Sequence, residues 1–319
     1  MRGPVFSIPN EILSDLTMNG IAQLSVHWFY GDTSADTLEF SIAKYENCRR
    51  RIDEAIKSKA CVYYSSDYFL PSVFERFPII GKTVAVIGSA SPLYEAYVER
   101  FGGTPLTIEY RKIKSDIPEL KTYTVEQAEI ANLTVDCVMS ISSIEHSGLG
   151  RYGEEIDPEG DIKAMALAKR MVKPGGLFFL QIPVGTDTVV WNAERIYGQY
   201  RLIRLLREWE LVDHFGFSPD MLHRGGGYSA QPAGEPIFVL RNADPGLSHR
   251  RLFDDAALAN FKTTDARRSR FQAEVAEIAS KFVEIDINYV LPTWPSGAGG
   301  RSLRSVTGRV LRAIKRRLS

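Results

Sequence analysis

The apolar run Thr83 to Ile87 stops at Gly88, a helical stretch follows from Pro92 to Phe101, and a second apolar run, Leu106 to Tyr110, carries Glu109, 21 residues beyond Gly88. Few folds accept that order. A strand, a tight glycine turn, a helix and a second strand make a crossover unit whose strands lie parallel, and parallel strands need helices on both faces. The alternation continues with strands over Val135 to Ser142 and Leu177 to Ile182, a helix over Ile162 to Val172 and a Pro174-Gly175-Gly176 turn between them. Glu210 to Phe215 and Pro236 to Leu240 supply two further strands. The expected fold is α/β, a doubly wound, mostly parallel seven-stranded sheet with extensions at both ends.

The expected organisation is an N-terminal extension over 1–75, an α/β domain over 76–245, a helical extension and linker over 246–300, and a basic tail over 301–319. Within the first segment, Ile21 to Tyr30 reads as a strand and Ile42 to Lys59 as a helix. A chain that is 44% hydrophobic and 24% charged has enough apolar material for a core, which excludes disorder as the general state. The first twenty residues lack a signal peptide's apolar stretch, and the three cysteines are odd in number and widely spaced. A reducing cytoplasm is the expected location.

At the first turn, Val86-Ile87-Gly88-Ser89-Ala90-Ser91-Pro92, the spacing to Glu109 is that of a nucleoside site. The tight turn lets a cofactor approach the backbone, and a carboxylate at the end of the next strand accepts hydrogen bonds from ribose hydroxyls. The plain alternative is an empty turn with Glu109 as an ordinary strand-end carboxylate.

The strings Val135 to Ser140, Ile144-Glu145-His146 and Val172 to Leu177 resemble the fourth-strand and fifth-strand signatures of class I S-adenosylmethionine-dependent methyltransferases. With Tyr94-Glu95, Ile108-Glu109-Tyr110, Gly148 to Gly153, Asp157-Pro158, Pro183-Val184-Gly185 and Trp191-Asn192, the resemblance is closer still to the family catalogued as domain of unknown function 268. That family occurs in nematodes, plants and bacterial polysaccharide loci. The resemblance implies S-adenosylmethionine as cofactor, bound by Gly88, Ser89, Ala90, Glu109 and Tyr110. One departure stands out: the wider methyltransferase pattern carries an acid where this chain has Val86, and further glycines where it has Ala90 and Pro92. Another group must then contact the cofactor's methionine end.

Glu145 and His146 follow the fourth strand of this pattern, at the carboxyl edge where such sheets bind ligands. A sugar hydroxyl must lose its proton on methylation, and a histidine near neutral pKa suits that work, so His146 is the candidate base. Glu145 would orient it or cap the next segment, and the alternative for His146 is a ring that only lines the pocket. His27, His214, His223 and His249 lack a comparable setting. Arg151 and Tyr152, flanked by glycines, offer a guanidinium fork and a stacking ring for an acceptor. Asp187, Trp191, Asn192 and Arg195 are placed at the same mouth as acceptor contacts, Trp191 being readable also as core. Asp157-Pro158 reads as a helix cap and Asp161 as a first-turn acid, and no spacing supports a metal site.

Seven cations and no acid fall in the last nineteen residues, leaving 32 basic against 39 acidic residues in the body. At about 100° per residue, Leu303, Val306, Val310, Leu311, Ile314 and Leu318 share one face of a helix. That pattern suits an interfacial helix on anionic lipid; a tail docked on the acidic body, or a solvated one, is the alternative. The expected function is methylation of a glycan or lipid-linked sugar at the inner membrane face, with no nucleic-acid partner. A nucleotide-sugar enzyme using another nucleoside cofactor, or a catalytically silent partner of a polysaccharide assembly complex, are the competing readings.

Overall fold

The computed structural model describes residues 8–25, 37–63, 67–226 and 231–243. A short helix α1 (Leu13–Leu16) and strand β1 (Gln23–Ser25) precede β2 (Thr37–Phe40), α2 (Ile42–Ser58) and α3 (Leu70–Arg76). The alternating part runs β3 (Thr83–Ile87), α4 (Leu93–Arg100), β4 (Thr104–Glu109), β5 (Lys112–Ser115), β6 (Lys121–Thr124), α5 (Val125–Ile130) and β7 (Val135–Ile141). It continues through α6 (Gly160–Met171), β8 (Val172–Gln181), β9 (Thr188–Val190), β10 (Glu194–Ile196), α7 (Gln199–Leu206), β11 (Glu210–Phe215) and β12 (Ile237–Arg241).

Seven of these strands form one sheet in the order β11-β12-β8-β7-β3-β4-β6. β3, β4, β6, β7 and β8 pair in parallel, while β12 runs antiparallel to both β8 and β11. Apolar side chains alternate between two cores, as a sheet buried on both faces requires. Val84, Val86, Met139, Phe179 and Val239 pack with Ile52, Phe74 and Tyr97 from α2, α3 and α4. Ala85, Val138, Phe178, Leu180 and Leu240 pack with Met165, Leu167, Leu202 and Leu205 from α6 and α7. Phe40, Tyr45 and Ile52, all within the segment read as an extension, are buried in the first of these cores.

Three local readings change. Pro174-Gly175-Gly176 is not a turn between elements: β8 runs through it as an irregular stretch, with Gly175 at φ +77° and a register shift against β7 between Val135 and Cys137. A Cβ on Gly176 would lie 2.4 Å from Asp136 O, so the pair lets two backbones touch and does not reverse the chain. Helix α6 begins at Gly160, and Asp157 accepts instead from Glu159 N, two residues on, in a turn ahead of the helix. Of the strand expected over Ile21 to Tyr30, β1 occupies Gln23–Ser25, and 26–36 lie outside the described residues.

The chain winds outward from β3 to β4 and β6, then crosses back to β7 and β8 on the other side. The carboxyl ends of β3 and β7 therefore diverge into a crevice, the place where open α/β sheets hold ligands.

Candidate functional site

Gly88 takes φ +77° at the end of β3 and donates its N–H to Ile108 O on β4 at 2.9 Å. A Cβ there would lie 1.6 Å from Ser143 Oγ, so the glycine is demanded by the close approach of the chain after β7. Ser89 is fully buried, with Oγ 2.9 Å from Glu95 Oε2, while Thr107 Oγ1 donates to Glu95 Oε1 at 2.7 Å. Ser89 thus fastens the turn to α4 and β4 and does not line the crevice, unlike Gly88 and Ala90. Burial pushes Glu95 up to about 7, against these hydrogen bonds. Val86 is buried in the core beneath.

The crevice is a cavity of about 970 Å³ bounded by Gly88, Ala90, Glu109, Tyr110, Arg111, His146, Arg151 and Tyr152 among others. Glu109 is 7% exposed, and burial raises its pKa while Arg111 opposes that shift. Arg111, two residues on and pointing to the same side, puts Nε 3.4 Å from Glu109 Oε1. Arg111 is a site residue absent from the sequence expectations, although its spacing of two from Glu109 on an extended chain is a usable signal. The Arg111 and Arg151 guanidinium carbons lie 5.0 and 5.2 Å from the centre of the Tyr152 ring, a double cation–π contact. Glu154 accepts from Gly150 N and Tyr152 N, which fixes the loop that carries this ring. Tyr110 is about half exposed at the rim.

His146 lies in the short 3-10 turn Ile144–His146 after β7, with Nδ1 2.6 Å from Ala193 O. A carbonyl only accepts, so Nδ1 carries the proton and Nε2 is bare. Burial and then Arg151, whose Nη1 lies 3.1 Å from Nδ1, push the imidazole down to about 3. The expected near-neutral titration is absent: a second cation beside Arg151 is too costly, and the ring stays neutral. Glu145 is fully buried, accepts from Ser142 Oγ at 2.8 Å, and keeps Oε1 3.7 Å from His146 Nε2. Burial pushes it up to about 8.

These shifts have opposite consequences for stability. Between 4.5 and about 8 the folded chain retains a proton on Glu145 that the unfolded chain has released, so stability falls as pH rises through that window. His146 acts the other way, but only between about 3 and 6.5. From pH 6.5 to 8 the glutamates therefore dominate, with Glu95 and Glu194 adding their share up to about 7. Urea midpoints should fall across that interval, and Glu145→Gln should flatten much of the fall. A level wild-type midpoint would show Glu145 titrating as an ordinary carboxylate.

The residues placed at the mouth beyond β8 lie elsewhere. Asp187 is 5% exposed and accepts from the backbone N–H groups of Gly198, Tyr200 and Arg201, which anchors the start of α7. Trp191 belongs to a core cluster with Leu16, Met18 and Leu149, and Asn192 is fully buried. None of the three bounds the cavity. Arg195 is also interior, donating to Ser147 O, Asp157 O and Pro158 O at 2.6, 3.3 and 3.2 Å, so it shapes the loop from beneath. Asp161 is a buried ion-pair partner of Arg201, and Asp157 pairs with Lys163. Among the described residues no group of three or more His, Cys, Asp or Glu could hold a metal ion. His214 is exposed on β11 and His223 is exposed; His27, His249 and the whole 301–319 tail lie outside the described residues.

The family model described as "Caenorhabditis protein of unknown function, DUF268" matches residues 81–222. No curated protein matches the sequence. Among solved structures, the chain is similar to a Burkholderia thailandensis 1,6-didemethyltoxoflavin-N1-methyltransferase with bound S-adenosylhomocysteine, at 13% identity and TM-score 0.42, over 63% of this chain and 90% of that one. It is also similar to a TehB-like SAM-dependent methyltransferase from Corynebacterium glutamicum, at 16% identity and TM-score 0.36, over 62% and 97% of the two chains. The CcbJ methyltransferase from Streptomyces caelestis is a third, at 11% identity and TM-score 0.38, over 56% and 90%. The match to this family model takes in β3 to β11 and both walls of the crevice, so over residues 81–222 the chain is similar to the DUF268 family.

Proposed function

We propose that the chain is an S-adenosylmethionine-dependent O-methyltransferase whose acceptor is a glycan or lipid-linked sugar. The observation that carries this reading is the cavity at the switch point of the sheet, with the Gly88 turn on one wall and the Glu109 carboxylate at the end of the adjoining strand. Its volume is within the range of cofactor sites, and its donors and acceptors suit a nucleoside. Glu109 would take the ribose hydroxyls, Tyr110 would lie against the base, and Ala90 is small enough to spare the approach at the turn. Arg151 can meet the carboxylate of the amino-acid end, where Val86 supplies no polar contact. When bound, the cofactor supplies an electrophilic methyl group on a sulfonium centre. His146, neutral and fixed through Nδ1, would accept a hydrogen bond at Nε2 from the acceptor hydroxyl; its low proton affinity makes orientation its contribution, and the proton that the hydroxyl loses on methylation passes to solvent. Arg151 and Tyr152 close over the acceptor from the loop.

One observation favours the nucleotide-sugar alternative, the Arg111 guanidinium beside Glu109, since a diphosphate would welcome it. Ligand binding separates the two. At 100 times its dissociation constant S-adenosylhomocysteine should stabilise by about 2.7 kcal/mol, raising the melting temperature by roughly 5 to 10 °C. Glu109→Gln should weaken that binding about tenfold to a hundredfold through the lost charge-assisted hydrogen bonds. A shift from NAD or a sugar nucleotide, with none from S-adenosylhomocysteine at millimolar concentration, would reject the methyltransferase reading.

The basic tail belongs to the same proposal as a peripheral attachment to anionic lipid at the inner membrane face. Among the described residues no helix is long and apolar enough to cross a membrane. Each cation near such a surface contributes about 1 kcal/mol, a contribution that salt screens. The full chain should sediment with anionic vesicles and release as salt rises, and a chain lacking Arg301 to Ser319 should stay in solution. Equal partitioning of the two would remove the membrane from the reading.

A further inference from the structure

Three buried polar atoms without a hydrogen-bond partner gather beside the crevice: Tyr94 Oη from α4, Glu145 Oε2 after β7 and Gln181 Oε1 at the end of β8. They form one neighbourhood. Gln181 Nε2 donates to Glu235 Oε2 at 2.9 Å, and Glu235 acts electrostatically on both Glu145 and Tyr94. Ser142 joins them to the cavity: its N–H donates to Gln181 O at 3.2 Å, its hydroxyl donates to Glu145 Oε1, and it bounds the cavity together with Tyr94. Ser142 takes φ +48°, a left-handed conformation unusual for a serine, at the strand end that faces the crevice. Buried polar atoms left without partners call for a ligand or water, and strained backbone at a strand end is most often kept for function.

The chemistry of the neighbourhood selects its ligand. Gln181 Oε1 needs a donor, the protonated Glu145, whose Oε1 accepts from Ser142, needs an acceptor for Oε2–H, and Tyr94 Oη both donates and accepts; an ammonium can only donate, and a hydroxyl does both. Arg151, 3.1 Å from His146 Nδ1, already supplies a positive charge nearby and opposes a second one. The half-exposed Tyr63 ring on the same cavity wall offers an apolar face of the kind on which a sugar ring stacks. We propose that this end of the cavity is a subsite for a hydroxyl of a neutral, polyhydroxylated acceptor, received by Tyr94 Oη and the Ser142 hydroxyl beside the hydroxyl that meets His146. The inference rests on the methyltransferase reading for the word acceptor, and it narrows the acceptor to an uncharged sugar bearing neighbouring hydroxyls.

The test uses the full chain and three probes: methyl glucoside, glucosamine and glucuronate. Saturation-transfer NMR titrations are run with and without S-adenosylhomocysteine, whose own affinity is measured on the same samples. Methyl glucoside should bind in preference to the two charged sugars, and Tyr94→Phe and Ser142→Gly should each weaken it at least tenfold, roughly the loss of one hydrogen bond to a buried group. Glycine accepts the Ser142 backbone conformation, and Phe keeps the Tyr94 ring, so both variants should fold; their melting curves check this. Absence of glucoside binding, equal binding by wild type and both folded variants, or preference for either charged sugar would overturn the subsite. Glucoside binding without any S-adenosylhomocysteine binding would leave the subsite standing and reject the methyltransferase reading.

Discussion

Asp161→Ala should cost about 3 to 5 kcal/mol, the penalty for removing one partner of a buried ion pair. The carboxylate is fully buried in the first turn of α6, where it accepts from Arg201 through both oxygens and from Tyr197 Oη at 3.1 Å, with Arg195 Nε 3.8 Å away. Burial alone would raise its pKa, but Arg195 and Arg201 outweigh that and hold it below the usual carboxylate range. Removing it leaves two guanidiniums, each at most 3% exposed, short of their shared anion. Because Arg195 also holds the carbonyls of Ser147, Asp157 and Pro158, the damage should reach the Ser147–Gly160 loop and weaken S-adenosylhomocysteine binding. Urea unfolding at pH 7 measures the first effect and ligand titration of the folded fraction the second. A loss under about 1 kcal/mol would mean that solvent reaches this cluster and that packing alone holds the loop.

The same cluster marks where sequence reasoning stops. Period-two apolar runs identified β3, β4, β7 and β8 because a strand buried on both faces has little freedom in composition, and Gly88 with Glu109 was visible because a turn and its strand-end acid keep a fixed spacing. Asp161, Arg195 and Arg201 gave no such signal. Charged residues are read by default as solvated, and only the fold brings them together behind the loop. Asp187 misled for the same reason: an acid after a strand resembles a site residue until its three backbone donors are seen. The proton affinity of His146 was equally out of reach, since burial and Arg151 set it, both consequences of how the loop folds back. β5 and β6, four residues each of which three are polar, carry too little apolar periodicity to stand out from loops.

Gly88→Ala should cost about 2 to 5 kcal/mol, in two parts that can be separated. One part is conformational, about 1 to 2 kcal/mol for a side chain at φ +77°. The other is overlap: the new Cβ would stand 1.6 Å from Ser143 Oγ and 2.4 Å from Ser143 Cβ, distances that force the two strand ends apart and carry a further roughly 1 to 3 kcal/mol. Ser143→Ala removes only the hydroxyl and leaves the 2.4 Å contact, so it should rescue Gly88→Ala poorly. Ser143→Gly removes both atoms and should recover the overlap part while leaving the conformational part, a coupling that a double-mutant cycle reads directly. Since Gly88 and Ser143 bound the cavity from opposite strands, S-adenosylhomocysteine affinity should follow the same order: wild type, then Gly88→Ala with Ser143→Gly, then Gly88→Ala alone. If Ser143→Gly restores nothing, the crevice is not held open by the contact between these two residues, and the glycine is there for its backbone conformation alone.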